Sequence, residues 1–336
     1  MVNGLQIPQR DLLLVDEGQD LPRCKAEFCR RMARRFVLVG DTHQAIYGFA
    51  GADTESIPRI QRFLAETTQG CTVLRLTETR RCGKAIVRDA RHYVPDFKAH
   101  ESNPEGKVVT ARIGEYAKDL RDGDMVLSRV NAPLVSQALK LIRQGHKAVV
   151  RGRDFGGQLI SFVERMKADS VPDLIGKVDD WRSKEVSKEN AKRNPSDARI
   201  QSLDDRYDVI MTFSENAATV QEVLDRINLV FAGKQCPRCR KHFNEDLLTC
   251  PCLSCKTETG PDGYPIGQKL ITPDGVQFSS IHKAKGLEAN RVFIIRTKDA
   301  PLPHPMARTA WAQGQEQNLV YVAITRAIHE LTYVTD

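Results

Sequence analysis

No stretch of the 336 residues is apolar for long enough to span a bilayer, and the chain opening at Met1 carries no signal-peptide pattern. A membrane protein is therefore excluded, and the cytoplasm is the expected compartment. Also lacking is a GxxxxGK[ST] loop, whose backbone amides and lysine cradle nucleotide phosphates. Gly-Lys pairs occur at Gly83-Lys84, Gly106-Lys107, Gly176-Lys177 and Gly233-Lys234. None is followed by Ser or Thr and none has the earlier glycine. Cysteine is sparse over most of the chain. Cys24, Cys29, Cys71 and Cys82 are scattered, while the other five crowd between Cys236 and Cys255. In a reducing compartment such crowding favours metal over disulfides.

What is present bounds the problem further. The length suggests about two domains with a sizeable core, and 28% charged residues indicate a globular protein. A net charge of +7 fits a polyanion partner without requiring one. The most informative stretch runs from Asp11 to Asp20, where Leu12-Leu13-Leu14-Val15 leads directly into Asp16-Glu17-Gly18-Gln19-Asp20. A buried parallel strand ending at a phosphate site has this form. Asp16 would stand at the strand tip, able to hold Mg²⁺, and Glu17 could polarise a water. An isolated Asp-Glu pair is more often a solvated acidic turn. A second strand-plus-loop, Phe36-Val37-Leu38-Val39-Gly40-Asp41-Thr42-His43-Gln44-Ala45-Ile46-Tyr47-Gly48, decides against that reading.

Together these stretches resemble motifs II and III of UvrD/Rep-type superfamily-one helicases, DExxD followed by VGDxxQxIYxFxGA. The resemblance implies that Gln44 touches the γ-phosphate and that Tyr47 and Phe49 end motif III, where a ring stacks on a single-stranded base. Stacking of that kind contributes about 1–3 kcal/mol per base. Ala50 stands where the family usually has arginine. Pro22 to Arg35 has helical spacing, with Arg30, Arg31, Arg34 and Arg35 read as a solvated basic face.

Downstream, an expected strand Thr72-Val73-Leu74-Arg75-Leu76 leads to Thr79-Arg80-Arg81-Cys82 and a helix from Lys84 to His92. This resembles motif IV: Arg81 falls on the family's γ-phosphate arginine, and Arg80 replaces a tyrosine that stacks on adenine. A guanidinium plane can also stack on a base. Further strands are expected at Asp124–Arg129 and Ala148–Arg153, around an amphipathic helix from Asn131 to Gln144. Asp179 to Asp205 reads as a charged, solvated helical segment, and Val209 to Phe231 as part of a small bundle.

Cys236-Pro237-Arg238-Cys239 and Cys250-Pro251-Cys252-Leu253-Ser254-Cys255 have the spacing of a zinc ribbon. The expected Zn²⁺ ligands are Cys236, Cys239, Cys252 and Cys255, with Cys250 the alternative to Cys252. Val276 to Glu288 then matches motif V, with Ser280 in place of threonine. The resemblance sets Ser280 and His282 against the DNA backbone, and Gly286 and Glu288 at the nucleotide. Tyr321-Val322-Ala323-Ile324-Thr325-Arg326-Ala327 is motif VI, with Arg326 the candidate arginine finger.

The expected fold is α/β, with RecA-like parallel sheets and a small helical and zinc-ribbon insertion. Residues 1–68 would be the C-terminal remnant of a first motor domain. Residues 69–165 and 268–336 would form the second, and 166–267 the insertion, with its ribbon at 234–257. The resemblance implies ATP- and Mg²⁺-dependent movement on single-stranded and duplex DNA, in the 3′→5′ sense. The catalytic set would be Asp16, Glu17, Gln44, Arg81 and Arg326, with Arg80, Gly286 and Glu288 binding nucleotide. Without a phosphate loop, the chain is expected to be a fragment or a split half that needs an N-terminal Walker A half. The alternative is a catalytically inactive relative that binds DNA or protein.

Overall fold

The structure, a computed structural model, describes residues 9–48, 56–66, 71–231, 234–235, 242–243, 256–259, 265–267 and 275–336. The chain divides into two compact units, one of residues 1–106 with 303–325, the other of 107–302 with 326–336.

The first unit is built on two parallel strands, β1 (Arg10–Val15) and β2 (Ala33–Leu38), paired from Arg10↔Ala33 to Val15↔Leu38. Helix α1 (Arg23–Met32) connects them, giving one strand–helix–strand crossover. The basic run is split by this arrangement: the helix stops at Met32, and Arg34 and Arg35 belong to β2. β-Branched and aromatic residues at 36–37 pair against β1, which overrides helical spacing there. Helix α2 (Ser56–Glu66) begins where Ser56 Oγ donates to the Gly18 carbonyl at 2.6 Å.

The expected strand at Thr72–Leu76 does not form; residues 71–77 are irregular, with Leu74 85% and Leu76 93% exposed. Among the described residues no strand pairs with 72–76, and β propensity without a neighbouring strand does not make a strand. Pairing starts only at β3 (Glu78–Thr79), parallel to β4 (Lys98–Ala99), with α3 (Lys84–Ala90) between them.

The second unit holds a six-stranded, wholly parallel sheet. Its strands are β5 (Lys107–Arg112), β6 (Met125–Ser128), β7 (Ala148–Val150), β12 (Val276–Ser280), β13 (Ala289–Ile295) and β14 (Ala327–Thr335). They lie in the order β5-β14-β13-β6-β12-β7. Every residue of β6 and β12 is buried, as parallel strands covered on both faces require. Helix α4 (Asn131–Arg143) turns Leu134, Val135, Ala138 and Leu141 into the core, beside Val126, Val150 and Phe278.

Between β7 and β12 come α5 (Arg153–Met166), α6 (Val171–Asn190), α7 (Asp197–Ser214) and α8 (Val220–Val230). The charged segment read as one helical stretch is thus two helices. The break at 191–196 contains Pro195, and Ser196 Oγ accepts from the Arg199 amide as the α7 cap. Beyond α8 lie two short antiparallel pairs: β8 (Lys234–Gln235) with β9 (His242–Phe243), and β10 (Lys256–Thr259) with β11 (Pro265–Gly267). The remaining helices are α9 (Ile281–Ala284), in the second unit, and α10 (Ala310–Ile324), in the first. Among the described residues, no helix is long and apolar enough to cross a membrane. The parallel sheets agree with the expected α/β class; the five cysteines of the ribbon lie outside the described residues.

Candidate functional site

In the first unit, the ends of β1 and β2 bring the acidic turn and the glutamine loop together. The ladder continues past both strands, with the Val39 amide donating to Val15 O at 2.8 Å and the Gly18 amide to Val39 O at 2.9 Å. Asp16 and Glu17 therefore emerge beside Gly40 and Asp41. Glu17 adopts a left-handed backbone, φ 51° and ψ 43°, a conformation that costs a non-glycine residue about 1–2 kcal/mol. Its amide donates to Asp16 Oδ1 at 2.8 Å, and its carboxylate accepts from Gln19 Nε2 at 2.5 Å.

Gln19, only 1% exposed, joins the two loops: its Oε1 accepts from the Asp41 amide at 3.0 Å. Gly40 has to be glycine here, because a Cβ would sit 2.5 Å from Gln19 Oε1 and 2.8 Å from Ile57 Cδ1. Asp41 in turn accepts from the His43 amide and from Gln44 Nε2, both at 2.9 Å. Burial works to raise the Asp41 carboxyl, but the hydrogen bonds from His43 and Gln44 outweigh it and hold the group below its usual range. The bond to Asp41 raises His43, against a smaller opposing effect of burial. Tyr47 belongs to the same cluster: burial first, then the negative charges of Asp20 and Glu17, push its hydroxyl up.

The glutamine loop is also fixed from the side of motif VI. Gln315 Nε2 on α10 donates to Ala45 O at 2.8 Å, and its Oε1 accepts from the Gly48 amide at 3.2 Å. Asn318 Nδ2 donates to Thr42 O at 3.2 Å and Ala45 O at 3.0 Å. Arg80 and Arg81 lie in the turn after β3, where the Arg81 amide donates to Thr79 Oγ1 at 3.1 Å. Asn103 supports that turn by donating to the carbonyls of Thr79 and Cys82, each at 2.8 Å.

In the second unit, Ser280 ends β12 and precedes α9, and His282 is the second residue of that helix. Desolvation, with a smaller contribution from the Arg129 guanidinium, pushes the His282 imidazole down to about 3. It meets any ligand as a neutral ring. Gly286 has φ 82°, and Glu288 beside it is exposed. Arg326 is 1% exposed; its Nη1 donates to Leu287 O at 3.1 Å, tying the motif VI arginine to the loop of Gly286 and Glu288. Phe49 lies outside the described residues.

Gln19, Gln315 and Asn318 had no assigned role in the sequence. A glutamine inside an otherwise acidic turn, and two amides one helical turn apart, were the signals available.

Two family models match the chain at these places. The UvrD/REP helicase N-terminal domain covers residues 8–64, and the UvrD-like helicase C-terminal domain covers 265–335. These two stretches are similar to the N- and C-terminal domains of UvrD/Rep-type helicases. Both ends of the chain thus match helicase domain models, and the helical segment between them falls under neither.

Among relatives, DNA helicase II of Escherichia coli (strain K12) is 37% identical over 67 residues, 20% of this chain and 9% of that protein. The F-box DNA helicase protein 1 of Schizosaccharomyces pombe (strain 972 / ATCC 24843) is 36% identical over 81 residues, 24% of this chain and 8% of that protein. The ATP-dependent DNA helicase Rep of Escherichia coli (strain K12) is 21% identical over 96% of this chain and 59% of its own length. The chain therefore spans less than two thirds of each of these relatives.

Proposed function

We propose that the chain forms part of an ATP-dependent DNA helicase that moves 3′→5′ on single-stranded DNA in the cytoplasm. The supporting observation is the cluster at the ends of β1 and β2, where Gln19 links the Glu17 turn to the Asp41–Gln44 loop. Asp16 is an oxygen donor at a strand tip, which suits Mg²⁺, an ion that takes one or two carboxylates and completes its shell with water and phosphate. Mg²⁺ would supply charge neutralisation on the phosphates. Glu17 then orients and deprotonates the attacking water, and Gln44 reads the γ-phosphate. Arg81 and Arg326 neutralise developing charge, Arg80 stacks on the base, and Gly286 and Glu288 line the nucleotide. Tyr47 and Phe49 stack on DNA bases, while Ser280 and neutral His282 contact the backbone.

Turnover on this reading needs a phosphate loop from a companion segment, in the same polypeptide or another. The 336 residues contain no GxxxxGK[ST]. The exposed apolar side chains of the β1–β2 pair support the same reading: Leu14 is 69% exposed, Val39 52%, Val37 46% and Leu12 44%. Parallel strands are otherwise covered on both faces. For the five clustered cysteines we assign a zinc ribbon of Cys236, Cys239, Cys252 and Cys255, with Cys250 the alternative to Cys252. The first pair lies in sequence between β8 and β9. About one equivalent of zinc in the purified protein, lost in Cys239→Ser, is the expected result; metal-free protein with an unchanged melting curve sinks the ribbon.

ATP hydrolysis with single-stranded DNA and Mg²⁺ tests the main reading. The chain alone should not turn over, a polypeptide supplying the phosphate-loop half should restore turnover, and Glu17→Gln should abolish it again. Robust hydrolysis by the chain alone that disappears in Glu17→Gln would overturn the need for a companion. No recovery with the companion would leave an inactive DNA- or protein-binding relative.

A further inference from the structure

The helical segment between β7 and β12 carries no family motif, yet it contains a groove of about 910 Å³ formed by α5, α7 and α8. Gly156, Gly157, Ser161, Arg165, Arg206 and Asn228 are among the residues that line it, and among the described lining residues none is a carboxylate. Arg206 is half-buried on α7. Its guanidinium lies 5.8 Å from the ring centre of Phe162 and 5.9 Å from that of Trp181, two rings packed 4.6 Å apart. Both rings lie within cation–π reach and help to hold the guanidinium in place.

The charge balance at Arg206 is one-sided. Burial, then repulsion from Arg199 and Arg165, disfavours its charged form. Among the described residues, neither Arg165 nor Arg206 has an ion pair with a carboxylate. Desolvating a cation beside like charges is costly until an anion arrives, and an arginine fork matches phosphate oxygens in geometry. Gly157, exposed in the lining, leaves space beside the arginines: a Cβ there would meet nothing within 4 Å. Ser161, Gln158 and Asn228 add neutral hydrogen-bonding groups at the rim.

We propose that this groove is a phosphate-ester binding site, in which Arg206 and Arg165 engage the phosphate and Gly157 leaves room for its approach, while Gly156 makes room for the Phe231 ring. The ester comes either from the backbone of a single-stranded nucleic acid or from a free phosphate compound. The site is separate from the residues assigned to ATP and does not depend on turnover.

The test uses the whole chain with fluorescein-labelled oligothymidylate and, separately, with pyrophosphate. Arg165→Gln/Arg206→Gln should weaken binding at least tenfold. If the oligonucleotide is the source, the slope of log affinity against log salt should fall by about 0.7, the value for one neutralised phosphate on a single strand. If a free phosphate compound is the source, pyrophosphate binding is lost while oligothymidylate binding is unchanged. Gly157→Glu puts a carboxylate beside the arginines at a position whose Cβ meets nothing within 4 Å, and it favours the helix, so it should weaken binding with an undiminished melting temperature. His282→Ala, at the proposed motor contact, should leave pyrophosphate binding intact, which separates failure of this site from failure of the helicase reading. Unchanged affinity for both probes in Gly157→Glu and in the double arginine variant overturns the proposal.

Discussion

Gln19 holds Asp41 across 22 positions of sequence, its Oε1 accepting the Asp41 amide at 3.0 Å while its Nε2 reaches Glu17. One buried amide thus sets the spacing between the acidic turn and the loop that carries Gln44. Gln19→Leu is expected to leave the Asp41 amide without its acceptor, at a cost of about 1–3 kcal/mol. Gln19→Glu keeps the acceptor but faces Glu17 with a second carboxylate, so it should also destabilise. Urea melts and hydrogen exchange at the Asp41 amide are the measurements. Native protection of that amide in Gln19→Leu would show that the link carries no weight.

Much of this arrangement is legible in the residues because the local signals agree with the tertiary ones. Val126-Leu127 reads as part of a strand and is one, fully buried in β6. Gly40 follows an apolar run and is needed where β2 passes Gln19. Where the sequence misleads, a non-local partner decides. Thr72–Leu76 has strand composition but no neighbour to pair with, whereas Arg34 and Arg35, read as part of a helix, lie in β2 opposite β1. The clamp of Gln315 and Asn318 on the glutamine loop links positions about 270 residues apart, and no local pattern encodes it. β5 and β14 join the second sheet side by side from opposite ends of that unit, so their pairing is equally invisible to periodicity.

Two histidines should report opposite environments. His43 Nδ1 lies 3.3 Å from Asp41 Oδ1 and is raised, so its charged form is favoured in the folded state. That contribution is fully present below the ordinary imidazole value of about 6.5 and disappears as pH rises through the raised value. His282, pushed down to about 3, does the reverse. Between about 6.5 and 3 the unfolded chain takes up a proton that folded His282 refuses, so stability falls as pH is lowered through this window. Imidazole titration by NMR should place His43 above and His282 far below the ordinary value. His282→Asn should flatten the acid side of the stability profile; an ordinary titration for His282 would refute the desolvated placement.

Gly48 should be intolerant of even a methyl group. A Cβ there would lie 2.3 Å from Trp311 Cζ2 and 3.1 Å from Gln315 Oε1. Trp311 is 52% exposed, so the indole can swing outward, and the expected cost of Gly48→Ala is about 1–2 kcal/mol. The chain has two tryptophans, and with Trp181→Phe as background the emission of Trp311 can be followed alone. Gly48→Ala should shift that emission to the red. An unmoved spectrum with native stability would mean that α10 and the 45–48 segment are not packed as described.

Glu17 combines the proposed water-activating role with a left-handed backbone, and the two can be separated. Its left-handed φ of 51° is unfavourable for any side chain and worst for a β-branched one, while its carboxylate also accepts from Gln19. Glu17→Gln keeps the branching, the length and one acceptor oxygen, so its stability should stay within about 0.5 kcal/mol of the native chain. Glu17→Val adds strain at φ > 0 and deletes the acceptor, for an expected loss of about 2–3 kcal/mol. In the complex with a phosphate-loop half, both variants should lose DNA-stimulated hydrolysis. Only Glu17→Gln should do so with its urea midpoint unmoved, because only there is the proton acceptor removed from an intact turn. Equal destabilisation of the two variants would make Glu17 a structural residue, and full hydrolysis by Glu17→Gln would take the water-activating role away from it.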